Sequence, residues 1–175
     1  LSFLTEQGKT NQTISSLLNQ DEAPLFPNTL MVTRWLKNAP ANAEARSIVM
    51  RKIVQLIQTP DLPLNIRIRL MAAAAASNET AISGLSRQWL TSKSSDLRLL
   101  AAIGVGMTQD SRAISDLAGL FMDPDINLQI ASCYGLSAIN TPLALESLQT
   151  ALEHGDETLR MAVGETLAAH DPEGH

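Results

Sequence analysis

The chain has 175 residues, of which 45% are hydrophobic and 18% are charged, and its net charge at neutral pH is −5. These values are typical of a globular protein and exclude a fibrous or fully disordered one. The single cysteine excludes an internal disulfide, and no apolar run reaches the roughly 18 residues that a membrane span requires. The N-terminus lacks a secretory signal pattern, so we expect a cytoplasmic rather than a secreted location, unless the chain is excised from a larger protein.

The first 28 residues form the least regular part of the sequence. Residues 14–18 are predicted to be a short helix, and residues 19–27, which contain two prolines, are predicted to be an extended connector. We therefore assign 1–28 to an N-terminal helix and connector.

Residues 29–60 are predicted to be a degenerate helical pair that caps the repeats after it. Asn28 is suited to cap a helix that ends near residue 38, and Asn42 one that ends near residue 58. We interpret the two helices as a degenerate first repeat.

Residues 61–175 contain a sequence echo with a spacing of 31 residues. Four copies open with Asn65-Ile66-Arg67, Asp96-Leu97-Arg98, Asn127-Leu128-Gln129 and Thr158-Leu159-Arg160. The first residue of each is a predicted N-cap, and apolar residues follow at i, i+4 and i+8 on one helical stripe. A small residue recurs in each copy at Ala73, Gly104, Gly135 and Thr166. Each copy thus opens with an amphipathic helix that a neighbour can approach closely.

A second helix follows in the first three copies. Its predicted apolar stripes are Ile82, Leu85 and Trp89, then Ile114, Leu117 and Phe121, then Leu145, Leu148 and Leu152. The seven helices of this region are predicted at about 65–76, 80–92, 96–107, 111–122, 127–138, 142–153 and 158–169. One helical hairpin cannot bury its stripe alone, so stacked neighbours must cover one another.

These residues resemble a known family. The run from Leu97 to Gly106, followed by Thr108 to Ile114, is similar to the short bacterial HEAT repeat, also called the PBS-lyase HEAT-like repeat. Gln129 departs from the arginine that is usual in that pattern. The resemblance covers about residues 61–175 and implies functions that range from scaffolds to regulatory and pigment-lyase subunits. We predict an all-α fold, a right-handed α-solenoid (α/α superhelix) of antiparallel helical hairpins with a period of about 31 residues.

Charge is distributed unevenly along the chain. Residues 34–69 have a net charge of +5, whereas residues 70–175 have a net charge of −8. The basic residues of the first segment are Arg34, Lys37, Arg46, Arg51, Lys52, Arg67 and Arg69. The segment 34–69 is suited to an acidic partner, a phosphorylated segment or nucleic acid, or it is an ordinary solvated face. Nucleic acid is the weakest of these alternatives, because the chain has only six aromatic residues for stacking.

The candidate chemical groups are better explained by the repeat than by catalysis. His154 is predicted at a helix end, and Cys133 is predicted to be a packed thiol. Asp123 and Asp125 fall in a repeat loop, where carboxylates cap helices. We therefore predict no catalytic residue, no metal site and no cofactor, so that the protein is not an enzyme.

The predicted function is that of a protein-interaction or scaffolding module. Exposed positions on the second helices, which usually line the concave side of such arrays, are the candidate contacts with a protein partner. They are Arg51, Gln55, Ser83, Arg87, Ser115, Asp116, Glu146 and Thr150. The alternative is a regulatory or lyase-type subunit that resembles the bilin-lyase branch. No membrane partner is expected.

The fourth copy contains a first helix at about 158–169 and then reaches Asp171-Pro172, where a second helix would begin. Its stripe of Leu159, Val163 and Leu167 is expected to lack part of its cover. We therefore predict that the natural protein continues or that this end packs against another chain, which includes self-association.

Overall fold

The computed structural model describes the backbone of residues 2–19, 22–40 and 43–170, and the side chains of 10–19, 22–40 and 43–169. Across these ranges the chain forms helices and turns without a strand, which confirms the all-α prediction. The chain divides into two compact units, Leu1–Glu79 and Thr80–His175. The predicted cap Asn42 and the C-terminal residues 171–175 lie outside the described residues.

Among its described residues, the first unit contains four α-helices. They are α1 (Ser2–Asn19), α2 (Pro27–Trp35), α3 (Ala45–Gln58) and α4 (Leu64–Ala76), and a 3₁₀ turn extends α2 over Leu36–Asn38. The N-terminal helix is longer than the predicted 14–18. Ile14 and Leu18, four residues apart and therefore on one face of α1, pack with Val32, Leu36 and Val49 in the core of this unit.

Helix α2 is capped by a residue that lies well before it. The Glu22 carboxylate accepts hydrogen bonds from the Thr29 backbone N–H and from the Thr29 hydroxyl, both at 2.6 Å. The predicted cap at Asn28 is wrong, because Pro27 already occupies the first turn and the N-cap residue is Phe26, whose side chain cannot accept. Glu22 therefore supplies the missing acceptor from seven residues upstream.

The second unit contains six α-helices within the described residues. They are α5 (Thr80–Trp89), α6 (Ser95–Thr108), α7 (Ile114–Gly119), α8 (Ile126–Ile139), α9 (Pro142–His154) and α10 (Glu157–His170). Helix α6 packs on α5 and α8, and α8 packs in turn on α9 and α10. The continuous helix predicted at 111–122 is divided, since 3₁₀ turns at Ser111–Ala113 and Leu120–Met122 flank the short α7.

The N-caps of the repeated first helices lie two residues before the predicted ones. The side chains of Ser94, Asp125 and Asp156 accept from backbone N–H groups of the first turn. The predicted caps Asp96, Asn127 and Thr158 are wrong, because the helices begin earlier and these residues lie inside the first turn. The fourth predicted cap, Asn65, is not the N-cap either, because α4 begins at Leu64 and its N-cap residue is Pro63; the Asn65 side chain accepts only from the adjacent Ile66 N–H, at 3.0 Å. The three observed caps recur every 31 residues, as the echo in sequence does.

The small residues of the first helices permit close packing. A Cβ placed on Gly106 of α6 would lie 2.9 Å from the Cα of Gly135 on α8, so the two backbones are in direct contact. The predicted stripe of α8 is confirmed, since Leu128, Ser132 and Leu136 are all buried.

The predicted stripe of α9 is wrong at two of its three positions. Leu145 and Leu152 are 41% and 40% exposed, whereas Ala144, Leu148 and Ala151 are buried. The small alanines let α9 approach its neighbours closely, and this rotates the two leucines toward solvent.

In two of the first helices, α6 and α8, a side chain at the same repeat position joins the helix to the preceding loop. Arg98 Nη1 donates to the Ser92 carbonyl at 2.9 Å, and Gln129 Nε2 donates to the Asp123 carbonyl at 2.9 Å. In both cases the acceptor lies six residues before the donor. Gln129 therefore makes the same connection as Arg98, although it departs from the family pattern.

The stripe of the fourth copy is covered. Leu159 and Val163 are 5% and 0% exposed, and Leu167 is half-buried, because α10 turns this face toward α8 and α9. The expected lack of cover is therefore wrong for Leu159 and Val163 and is limited to Leu167, so this stripe gives little support to self-association.

Candidate partner-binding surface

An apolar groove of about 310 Å³ lies between consecutive second helices of the second unit. One wall comes from the end of α7 and the 3₁₀ turn after it, and the other from α9. The lining includes Ala118, Phe121, Met122, Thr150, Ala151 and His154. Met122 is 90% exposed, which is unusual for a large apolar side chain beside a groove.

Four of the predicted contact residues lie on the helices that form this groove. Thr150 lines it, and the Thr150 hydroxyl donates to the Glu146 carbonyl at 2.9 Å one turn earlier on α9. Glu146 is exposed, as are Ser115 and Asp116 on α7. The geometry thus places Thr150 at the groove and the other three on the exposed surface of the same two helices.

Two other predicted contacts, Ser83 and Arg87, are engaged within the protein. Both reach the buried carboxylate of Asp110: the Ser83 hydroxyl donates to it, and Arg87 Nε lies 3.1 Å from Asp110 Oδ2. Arg112 adds a bidentate pair, with Nε 2.7 Å from Oδ1 and Nη2 2.9 Å from Oδ2. This cluster connects α5 to the loop before α7, and its centre is Asp110 rather than either predicted residue.

The electrostatics of the cluster follow from its hydrogen bonds. Those from the Arg112 side chain lower the pKa of Asp110 from 3.8 to about 2, against the opposing effect of burial. Asp110 is therefore an anion at any physiological pH and holds no proton to donate. Its role is structural, since it also caps the 3₁₀ turn through the Arg112 N–H. Sequence reasoning missed Asp110, although its place at the start of a second helix is a signal for capping.

The remaining predicted contacts, Arg51 and Gln55, lie in the first unit. They are one turn apart on α3 and both are exposed. The structure therefore divides the eight predicted residues among the α7–α9 surface, the Asp110 cluster and the α3 surface.

The repeats of this chain match a known family. Residues 82–168 match the family model of HEAT repeats. This protein is a member of the HEAT-repeat family. The matched segment includes α6 to α9 and thus the whole groove wall on both sides. Neither the curated proteins nor the solved structures gave a match.

HEAT repeats generally mediate protein–protein interaction or scaffolding, and they are typically non-catalytic. The match is to HEAT repeats in general, so the PBS-lyase subtype remains only a resemblance. The known role of these repeats directs attention to surfaces rather than to a reaction centre.

In the basic segment 34–69, some of the positively charged side chains bind other groups within the protein. Arg46 forms an ion pair with Glu79 and donates to the carbonyls of Leu36 and Pro40. Arg67 is 2% exposed and its Nε donates to the Ile57 carbonyl at 2.7 Å. Fewer than the seven predicted basic residues are therefore presented to solvent.

Reactive groups outside the surface are few in the part of the chain that the structure describes. Cys133 is buried, as predicted, and burial raises the pKa of its thiol to about 11. Among these residues no group of three His, Cys, Asp or Glu side chains is placed to hold a metal ion. No described helix is both long enough and apolar enough to cross a membrane.

Proposed function

We propose that this HEAT-repeat protein is a non-catalytic interaction or scaffolding module that binds a protein partner on its second-helix face. The observation that carries the proposal is the α7–α9 groove, where Met122 is almost fully exposed beside an apolar lining. Large apolar side chains presented together at a concave surface are typical of a protein-binding site. HEAT-family membership supports the same conclusion.

The contacts that we propose are the residues predicted from sequence, with those on α7 and α9 as the main candidates. Ser115, Asp116, Glu146 and Thr150 are the first candidates, because they lie on the groove helices. Arg51 and Gln55 are proposed separately, as exposed contact positions on α3 of the first unit. Ser83 and Arg87 would contribute mainly by shape, since Asp110 engages both side chains.

Partner capture from a lysate of the source organism tests this function. The variant Asp116→Arg/Thr150→Arg places two large cations on the second-helix face, and Glu165→Arg/Ala168→Arg places the same change on exposed positions of the first helix α10. We expect proteins captured by the wild type to be retained by the α10 variant and lost from the groove variant. If both variants capture the same proteins, the second-helix face is not the binding surface.

A further inference from the structure

The α7–α9 groove is formed by an acidic part of the chain. This part contains Asp, Glu and one histidine but neither Lys nor Arg. Residues 113–159 contain seven Asp and Glu residues and no Lys or Arg. This segment includes α7, α8 and α9, and so both walls of the groove. A surface of one charge sign selects partners of the opposite sign.

Three of these seven carboxylates already have a structural role. Asp123 pairs with Arg98, and Asp125 and Asp156 cap helices α8 and α10. The others are exposed, and two of them, Glu146 and Glu153, lie on α9. Glu153 accepts a hydrogen bond from the Gln149 amide at 3.1 Å and its Oε2 lies 3.9 Å from His154 Nε2, while Glu146 has no ion pair among the described residues.

Glu146 and Glu153 do not line the groove; they lie on the exposed side of α9 on either side of the lining residue Thr150, and we call this pair the rim. They are four residues before it and three residues after it, so all three lie on one stripe of α9. Seven residues of helix separate the two carboxylates by about 10 Å along the axis. Between them the groove is apolar, with Met122 on the opposite wall.

We infer that the groove binds a basic amphipathic protein segment, which inserts an apolar side chain between Met122 and Thr150 and places Lys or Arg against Glu146 and Glu153. The volume of about 310 Å³ accommodates a few side chains, as expected for a short linear segment. The apolar contact provides burial, and the two flanking carboxylates determine the register and exclude acidic segments. This inference rests on the proposed function and specifies the chemistry of the partner.

Selection from a library of random linear peptides tests the inference without assuming the ligand. The full chain is immobilised, and the peptides that it retains are sequenced. We expect them to be enriched in Lys and Arg around large apolar residues. The affinity of individual peptides is then measured by fluorescence anisotropy with wild type and variants.

Two matched variants locate the site. Glu146→Lys/Glu153→Lys reverses the rim charges, whereas Asp61→Lys/Glu165→Lys makes the same change in net charge at exposed positions that do not line the groove. We expect the rim variant to weaken binding by roughly tenfold or more and the control by less than about twofold. Met122→Ser should also weaken binding, because it removes an apolar contact with the peptide. The Met122 side chain is 90% exposed, so its replacement should not unfold the protein.

The outcomes separate the inference from the proposed function. If the selected peptides are acidic, or if basic peptides bind the rim variant and the wild type equally, the inference is overturned while the interaction function stands. If no peptide is retained above the background of the empty support, the inference also fails, whereas the proposed function fails only if both variants capture the same proteins from the lysate as the wild type.

Discussion

Gly106 of α6 and Gly135 of α8 meet backbone to backbone: a Cβ on Gly106 would lie 2.9 Å from the Cα of its partner. Contacts this short are not available to residues with side chains, so the two glycines set the separation of consecutive first helices. That separation in turn positions the second helices that form the groove.

Gly106→Ala should therefore destabilise the protein. The added methyl group meets backbone atoms, which cannot move aside without displacing a helix, and we expect a loss of about 1–3 kcal/mol in the free energy of unfolding. Urea denaturation followed by circular dichroism measures it. Gly164→Ala is the matched control, because that glycine is in α10 and a Cβ there would contact nothing within 4 Å. The control should be neutral or stabilising by up to about 1 kcal/mol, and equal effects of the two changes would contradict the packing.

Asp110 should give the protein a dependence of stability on acid pH. Its folded pKa of about 2 lies below the unfolded value of 3.8, so its contribution is complete above about pH 4 and is lost as the pH falls toward 2. The shift corresponds to at most about 2 kcal/mol. We expect Asp110→Asn to be less stable than wild type by roughly this amount at pH 6 and equally stable near pH 2.

Asp116→Asn provides the comparison for that experiment. Asp116 is exposed and has no ion pair among the described residues, so its replacement should change stability by less than about 0.5 kcal/mol at either pH. If Asp110→Asn is less stable than the wild type by the same amount at both pH values, the charge of the carboxylate contributes nothing to stability.

Ser94→Ala should cost more stability than Ser95→Ala. Ser94 is the N-cap of α6 and its hydroxyl accepts from the Leu97 N–H, whereas the exposed Ser95 is the first residue inside the helix. Loss of the cap leaves that N–H without its partner and should cost about 1 kcal/mol, while the neighbouring change should be nearly neutral. Thermal unfolding of the two single variants compares them directly. If Ser95→Ala were the more destabilising change, the N-cap of α6 would be a residue after Ser94.

Cys133 should be unreactive in the folded protein. The thiol is buried in α8, and its raised pKa of about 11 leaves almost no thiolate at pH 8. We expect Ellman's reagent to label one thiol in urea and essentially none in native buffer. Rapid labelling of the native protein would mean that α8 opens readily.

The repeat could be recognised from sequence because its signal is redundant: Leu128 and Leu136 fall on one stripe, and the same columns recur in every copy. The exact start of each helix could not. Both the column that contains Asp125 and the column that contains Asn127 hold residues suited to capping, and only backbone geometry decides between them.

The groove itself was beyond sequence reasoning. Helix α9 is rich in leucine, so its buried face could not be chosen from periodicity, and the prediction placed Leu145 and Leu152 inside. The gap between α7 and α9 depends on how closely the first helices pack. Thr150 was predicted as an exposed position on a second helix. Glu153 and Met122 were not predicted, because their importance depends on the width of the gap between α7 and α9, which the sequence does not reveal.

The connections made by Arg98 and Gln129 leave the loops between repeats unusually tolerant of change. Each side chain donates to a main-chain carbonyl, at Ser92 and Asp123, and every amino acid provides that acceptor. The loop sequences accordingly diverge, with Ser92-Lys93-Ser94 in one copy and Asp123-Pro124-Asp125 in the next. Three side chains are still required: the Asp123 carboxylate accepts from Arg98, and Ser94 and Asp125 cap α6 and α8. New recognition sequences can therefore arise at the other positions of these loops, by evolution or by engineering, while the hydrogen bonds from Arg98 and Gln129 still connect neighbouring repeats.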